Sequence, residues 1–290
     1  MKIPSSPVGQ ASWPAADLPV SLGHRLAVEI WGARGSMPIA DASKLRYGGN
    51  TSCISVRSAS GDRVIIDAGT GIRDLSRASH SSEINLFFTH FHWDHIQGIP
   101  YFAPLFRPGS LLRFHSGLSP EETRAHLERQ MSYPYFPLDF AATKSHREFV
   151  QVGHAPVSCG SLTVVAFPLN HPQGAWGYRI EGAGASVVVA TDLEHGHPNF
   201  DKILLEHSAN ADLLIYDAQY TEAEYATHRG WGHSNPRQAA AFAASANVKH
   251  LSLFHHHPDH DDLAMDQIVL ETRAWFPATT AAQERSTITL

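Results

Sequence analysis

His90-Phe91-His92-Trp93-Asp94-His95 places three imidazoles and one carboxylate in six consecutive residues. Histidines at i, i+2 and i+5 would repel one another as cations, and a divalent ion turns that crowding into coordination. The run follows Glu83 to Thr89, which reads as a strand. If the chain leaves that strand extended, His90 and His92 share a face, and a following turn points Asp94 and His95 to a second position nearby. One short loop can therefore feed two ions.

The elements that must hold such a loop are legible as short β-branched and aromatic runs. These are Arg25 to Trp31, Ser52 to Arg57, Arg63 to Asp67, Glu83 to Phe88, Leu162 to Phe167, Trp176 to Glu181, Ser186 to Ala190, Leu213 to Tyr216 and Val248 to Phe254. Turn signals such as Gly48-Gly49-Asn50, Gly61-Asp62 and Gly182-Ala183-Gly184 separate them. Helices open on caps. Ser119-Pro120-Glu121-Glu122 has the capping-box pattern and starts a helix to about Met131. Asn235-Pro236 opens an Ala-rich helix ending near Ala246, and Asp262 is expected to cap Leu263 to Trp275. Strands with helices between and after them imply an α/β protein whose sheets are covered by helices on their outer faces.

The 290-residue chain is 43% hydrophobic and 17% charged, an ordinary globular composition. Its longest apolar stretches, such as Ala185 to Ala190, are of strand length and exclude a helical membrane span. Residues 1–24, rich in Pro, Ser and Ala without a continuous apolar core, read as a flexible leader rather than a secretory signal. Cys53 and Cys159 stand far apart, so neither a disulfide framework nor a thiolate zinc site is indicated, and the cytoplasm is the expected compartment. A net charge of −6 without a basic run argues against nucleic acid as the main partner.

The H-x-H-x-D-H cluster resembles that of the metallo-β-lactamase superfamily, and the resemblance extends from about Ala27 to Pro258. It implies an αββα sandwich over residues 25–290, a single domain with a dimetal site at the edge between two sheets. Other residues match the family's later motifs: His171 after the Leu162 run, Asp192 after Val187-Val188-Val189, and His255 after Leu251-Ser252-Leu253-Phe254. By that resemblance His90, His92 and His171 hold one ion and Asp94, His95 and His255 the other, with Asp192 and a hydroxide between them. Such a donor set suits two Zn²⁺ ions and also accepts Mn²⁺ or Fe. His256, His257 and His260 compete with His255 by position, and His154, His195 and His197 read as loop histidines with ordinary hydrogen bonds.

Further motifs resemble the ribonuclease Z and cyclic phosphodiesterase branch. Asp217, in Leu214 to Gln219, and His233, in Gly232-His233-Ser234, match an acidic residue and a histidine that handle the leaving group's proton. Asp67 resembles an aspartate that orients a ligand histidine. The glycines of Trp31 to Pro38 and Tyr47 to Ser52 are explained by close approach to a ligand or by plain turns. No basic, Gly-rich insertion resembles the tRNA-gripping arm of ribonuclease Z. The segment Gln130 to Pro137 is aromatic and neutral, and suits walling a pocket or pairing two chains as a homodimer. The expected function is hydrolysis of a small or cyclic phosphodiester, with Asp94, Asp217 and His233 in catalysis. A tRNA-processing nuclease, a lactone or thioester hydrolase and a zinc-stabilised binding protein are the alternatives.

Overall fold

Strand alternation builds the interior directly. In the computed structural model, which describes residues 26–78 and 81–290, one sheet comprises β1 (Leu26–Gly32), β2 (Cys53–Ser58), β3 (Arg63–Ile66), β4 (Glu83–Phe87), β5 (Leu111–Ser116), β6 (His146–Gln151) and β14 (Ser286–Thr289). The other comprises β7 (Val157–Cys159), β8 (Leu162–Leu169), β9 (Ala175–Gly182), β10 (Ala185–Ala190), β11 (Leu213–Asp217), β12 (Leu251–Phe254) and β13 (Thr279–Ala281). The leader expected over residues 1–24 lies outside the described residues. Among those described, the sheet orders are β14-β1-β2-β3-β4-β5-β6 and β13-β12-β11-β10-β9-β8-β7.

Each sheet is antiparallel on one side and parallel on the other. The parallel pairs run from β3 to β6 in the first sheet and from β10 to β13 in the second. Val28, Ile30, Val56 and Ile66 from the first sheet meet Val164, Ile180, Val187 and Ile215 from the second in one buried cluster. Their alternate neighbours face outward under helices. Val188, Leu214 and Leu253 pack with residues of α4 (Pro198–Ser208), α6 (Pro236–Ser245) and α7 (Asp262–Arg273). Ile65, Leu86 and Phe114 pack with α1 (Ile72–Ala78) and α3 (Pro120–Gln130). The result is the expected αββα sandwich. No helix among the described residues is long and apolar enough to cross a membrane.

Local chemistry accounts for the helix ends. Ser119 and Glu122 form a reciprocal capping box on α3, and the Asn235 side chain accepts from Gln238 N at the start of α6. The cap of α7 differs from expectation. Asp261, in extended backbone, accepts from Ala264 N, while the Asp262 carboxylate turns to the backbone N–H groups of Arg46 and Tyr47. The strand expected from Val248 begins at Leu251, because Val248 N and Lys249 N are engaged by Ala243 O and Ala211 O. Helix α4 escaped the sequence reading because its N-cap, His197, makes no side-chain cap bond.

The carboxyl ends of β3, β4, β8, β10, β11 and β12 carry Asp67, the His90 to His95 run, His171, Asp192, Asp217 and His255. That edge is where the two sheets together present chemistry. On β5, away from those ligands, His115 is buried, stacks on Phe87 with centroids 4.1 Å apart, and places Nε2 3.1 Å from Asn85 Oδ1. Burial, reinforced by Arg113, pushes its pKa down to about 4. The unfolded ring titrates near ~6.5, so the stability it contributes is present above that pH and is lost as pH falls toward 4. His115→Gln should therefore cost less at pH 5 than at pH 7, by roughly 2 kcal/mol. Urea unfolding at both pH values measures this, and an unchanged cost would show that the ring does not titrate as described.

Candidate metal centre

The chain leaves β4 extended through His92, whose φ of −64° and ψ of 153° precede the single turn α2 (Trp93–Ile96). That switch from extended to helical backbone splits the cluster. Donor atoms of His90, His92 and His171 lie within 4.8 Å of one another, as do those of Asp94, His95 and His255. Asp192 stands between the groups. Its Oδ1 is 3.9 Å from His90 Nε2, and its Oδ2 is 3.2 Å from His95 Nε2 and 3.4 Å from His255 Nε2.

The opposite ring nitrogens are engaged. His90 Nδ1 is 3.1 Å from Thr89 Oγ1, His95 Nδ1 is 2.7 Å from Asp67 Oδ2, and His171 Nδ1 is 2.9 Å from Gly232 O. His255 Nδ1 is 2.6 Å from Gln219 Oε1. Such partners orient an imidazole and fix which nitrogen is free to bind metal. Gly232 has a φ of +85°, and a Cβ there would lie 2.3 Å from His171 Nδ1, so only glycine lets this carbonyl reach the ring.

The donor set fits divalent metal on a direct test. Nε2 of His90 and of His95 are buried and make no hydrogen bond, an expensive state that coordination would relieve. Burial is the largest influence on each group, and for His95, Asp192 and Asp94 the neighbours reverse its sign. Burial and His95 hold His90 well below the usual histidine pKa. For His95 burial is overcome by Asp192, Asp94 and Asp67, which raise it well above. Asp192 and Asp94 remain far below the usual carboxylate range despite burial, because of the facing imidazoles of His95 and His255.

Among the competing histidines, His256 Nε2 is bound to Ala282 O at 2.8 Å, His260 pairs with Glu224 at 3.0 Å, and His257 Nδ1 accepts from Asp259 N. His195 Nδ1 lies 2.8 Å from Ser234 Oγ. His154 and His197 join no candidate group. Asp217 Oδ2 accepts from His233 Nδ1 at 2.8 Å and from Asp192 N at 3.1 Å, while its Oδ1 takes Gln219 N and Ser234 N. His233 stacks on His255 with centroids 4.8 Å apart. Thr89, Gln219 and Gly232 were not singled out from sequence as partners of the site, since an amide, a hydroxyl and a carbonyl carry no motif.

A cavity of about 550 Å³ borders His90 and His92, with Phe91, Trp93, Tyr135 and Trp176 among its aromatic walls and Arg129 and Gln130 among its polar ones. Residues 62–256 match the family described as "Beta-lactamase superfamily domain". The chain belongs to the metallo-β-lactamase superfamily. It is 29% identical over 282 residues to Ribonuclease Z of Bradyrhizobium sp. (strain ORS 278), covering 80% of this chain and 91% of that one. The metallo-β-lactamase fold protein YhfI from Bacillus subtilis superposes with a TM-score of 0.71 at 19% identity, covering 92% of this chain and all of YhfI. A diphosphatase of the PhnP family gives 0.69 at 20% identity, over 92% of this chain and 98% of its own.

As in other members of the superfamily, the buried His and Asp groups are consistent with a metal centre. Metal binding here should release protons. Burial opposes charge on His255, but Asp192, Asp94 and Asp217 hold its pKa up to about 9, so without metal the ring keeps a proton at pH 7. An ion must displace it, and apparent affinity should rise with pH toward that value. Calorimetric Zn²⁺ titrations of chelator-stripped protein at pH 7, in two buffers of different ionisation enthalpy, should give unequal heats. Equal heats would mean that no ligand is protonated.

Proposed function

We propose that the protein is a metal-dependent phosphodiesterase acting on a small or cyclic phosphodiester. The observation that carries this reading is the Asp217–His233 pair, 2.8 Å apart, packed against His255 with His233 Nδ1 3.9 Å from Asp192 Oδ1. A thioester leaves as a weakly basic thiolate and makes less demand on such a pair than an alkoxide does, whether the alkoxide departs from phosphorus or from a lactone carbonyl. The ribonuclease name of a curated relative supports hydrolysis at phosphorus.

His90, His92 and His171 would hold one ion and Asp94, His95 and His255 another, with Asp192 shared between them. Bound there, two divalent ions, Zn²⁺ by the chemistry of the donors, supply Lewis-acid polarisation of a phosphoryl oxygen and a water acidified at neutral pH. The chain's own residues do the rest. Asp217 Oδ2 takes the Nδ1 proton of His233 in a hydrogen bond and steadies the ring when it is charged. His233 Nε2 then gives its proton to the departing alkoxide, which leaves as an alcohol. The cavity beside His92 receives the organic part of the substrate, and its size favours a small diester over a folded RNA.

A nuclease is the second reading, favoured by the ribonuclease name of the curated relative. Metal-loaded protein assayed on bis(p-nitrophenyl) phosphate, 2′,3′-cyclic nucleotides, a precursor tRNA, a lactone and a thioester separates the readings. The expected order puts the small diesters first, and a preference for lactone or thioester would reject a phosphodiesterase. His233→Ala should lower kcat on the cyclic diester by about 10²-fold or more. It should matter far less on the p-nitrophenyl ester, whose leaving group departs without a proton. Equal losses on both would remove the proton-donor role, and full activity of Asp94→Ala or His95→Ala would remove the metal-dependent account.

A further inference from the structure

We propose that Gln219 is a positioning residue that sets the affinity of the Asp94, His95 and His255 ion position separately from that of His90, His92 and His171. The inference rests on the two-ion reading above. His255 follows β12 with a φ of 61°, a conformation costly for any residue but glycine and retained only where the surroundings enforce it. The ring is held from behind. Its Nδ1 donates to Gln219 Oε1 at 2.6 Å, which leaves Nε2 facing Asp94 Oδ2 at 3.1 Å.

The same amide reaches the carboxylate ligand through the early glycine segment. Gln219 Nε2 lies 3.4 Å from Ser36 Oγ, and Ser36 N donates to Asp94 Oδ2 at 2.8 Å. Gly35 is required by this contact. A Cβ on it would stand 2.4 Å from His255 Nδ1 and 2.8 Å from Gln219 Oε1, so the segment admits no side chain where the amide meets the ring. Arg34, fully buried, donates to the carbonyls of Gly48, His257 and His260, while Gly35 N donates to His256 O. The guanidinium thus clamps the loop that follows His255. Gln219 ties this clamped loop to Asp94, and among the described residues its side-chain hydrogen bonds, to His255 and Ser36, reach neither His90 nor His92.

The hydrogen-bond partner also differs between the two rings of this position. His95 Nδ1 bonds the Asp67 carboxylate at 2.7 Å, whereas His255 Nδ1 bonds a neutral amide, the Asp217 carboxylate standing beyond bonding distance at 3.8 Å. An amide orients the ring, whereas a carboxylate also raises its basicity as a ligand. Replacing the amide by leucine should therefore lose orientation, and replacing it by glutamate should restore orientation and add basicity.

Zn²⁺ affinities would be measured by competition with a chromophoric chelator on metal-stripped protein, with circular dichroism confirming the fold. The wild type should bind two ions. Gln219→Leu should weaken binding about 10- to 100-fold in a His92→Ala background, which retains the second position. It should leave binding unchanged in an Asp94→Ala background, which retains the first. Gln219→Glu, nearly isosteric, should match or exceed the wild type in the first of these backgrounds, and tests the same bond if the leucine variant does not fold. Wild-type affinity in folded Gln219→Leu, equal weakening in both backgrounds, or Gln219→Glu at least tenfold weaker than wild type would overturn the role of Gln219. A wild type that binds a single ion would instead reject the two-ion reading, and this inference with it.

Discussion

The constraint on which the structure depends is electrostatic: His90, His95, His171, His255, Asp94 and Asp192 are all withdrawn from water at one sheet edge. Desolvation penalises every charged form there, and the carboxylates and imidazoles relieve that penalty only by facing each other or a cation. The opposing pKa directions of His90 and His95, neighbours in space with ring centroids 4.3 Å apart, express this competition. A divalent ion held among these groups would satisfy both needs, since it requires neutral imidazole and ionised carboxylate at once. The hydrogen-bond partners behind the rings follow from the same constraint, because a buried imidazole that offers one nitrogen to metal must lodge its other N–H.

Backbone geometry carries part of the cost. Asp67, Asp192 and His255 all adopt positive φ, at 61°, 58° and 61°. Each stands just past the carboxyl end of a strand, where the chain must turn sharply while keeping its side chain at the sheet edge. A left-handed residue accomplishes that turn in one step, at a cost of order 1–3 kcal/mol each for residues other than glycine. Strands β3, β10 and β12 are each paired on both sides, which gives the rigid frame needed to hold three such residues.

What the sequence makes legible is local, and what it hides is relational. The six-residue cluster is readable because its spacing alone concentrates donors, and Ser119-Pro120-Glu121-Glu122 because a capping box is a short-range device. His171, Asp192 and His255 are readable as candidates only through the family resemblance, which says which strand ends should carry a donor. Gln219 carries no such signal, since its meaning lies in a ring 36 residues away. Asp261 and Asp262 are chemically identical caps, and only the approach of Arg46 and Tyr47 decides between them. The glycines near residue 35 are visible in the sequence, but their reason is not: the close approach of Gly35 is to the side chains of His255 and Gln219.

The two donor groups consequently face different surroundings. His95 and His255 are sealed by Asp67, Gln219 and the segment of residues 33–37, and His255 is further covered by the His233 ring. His90 and His92 border the cavity, and His92, whose Nε2 lies 3.4 Å from Gln173 Oε1, is the more exposed ligand histidine. The cavity thus opens beside His90 and His92, while Asp67 and Gln219 lie behind the rings of His95 and His255. That separation keeps the cavity walls, Trp93, Tyr135 and Trp176 among them, apart from the hydrogen bonds that hold the rings of His95 and His255. It also explains why the ligand set identifies a chemistry more readily than it identifies a substrate.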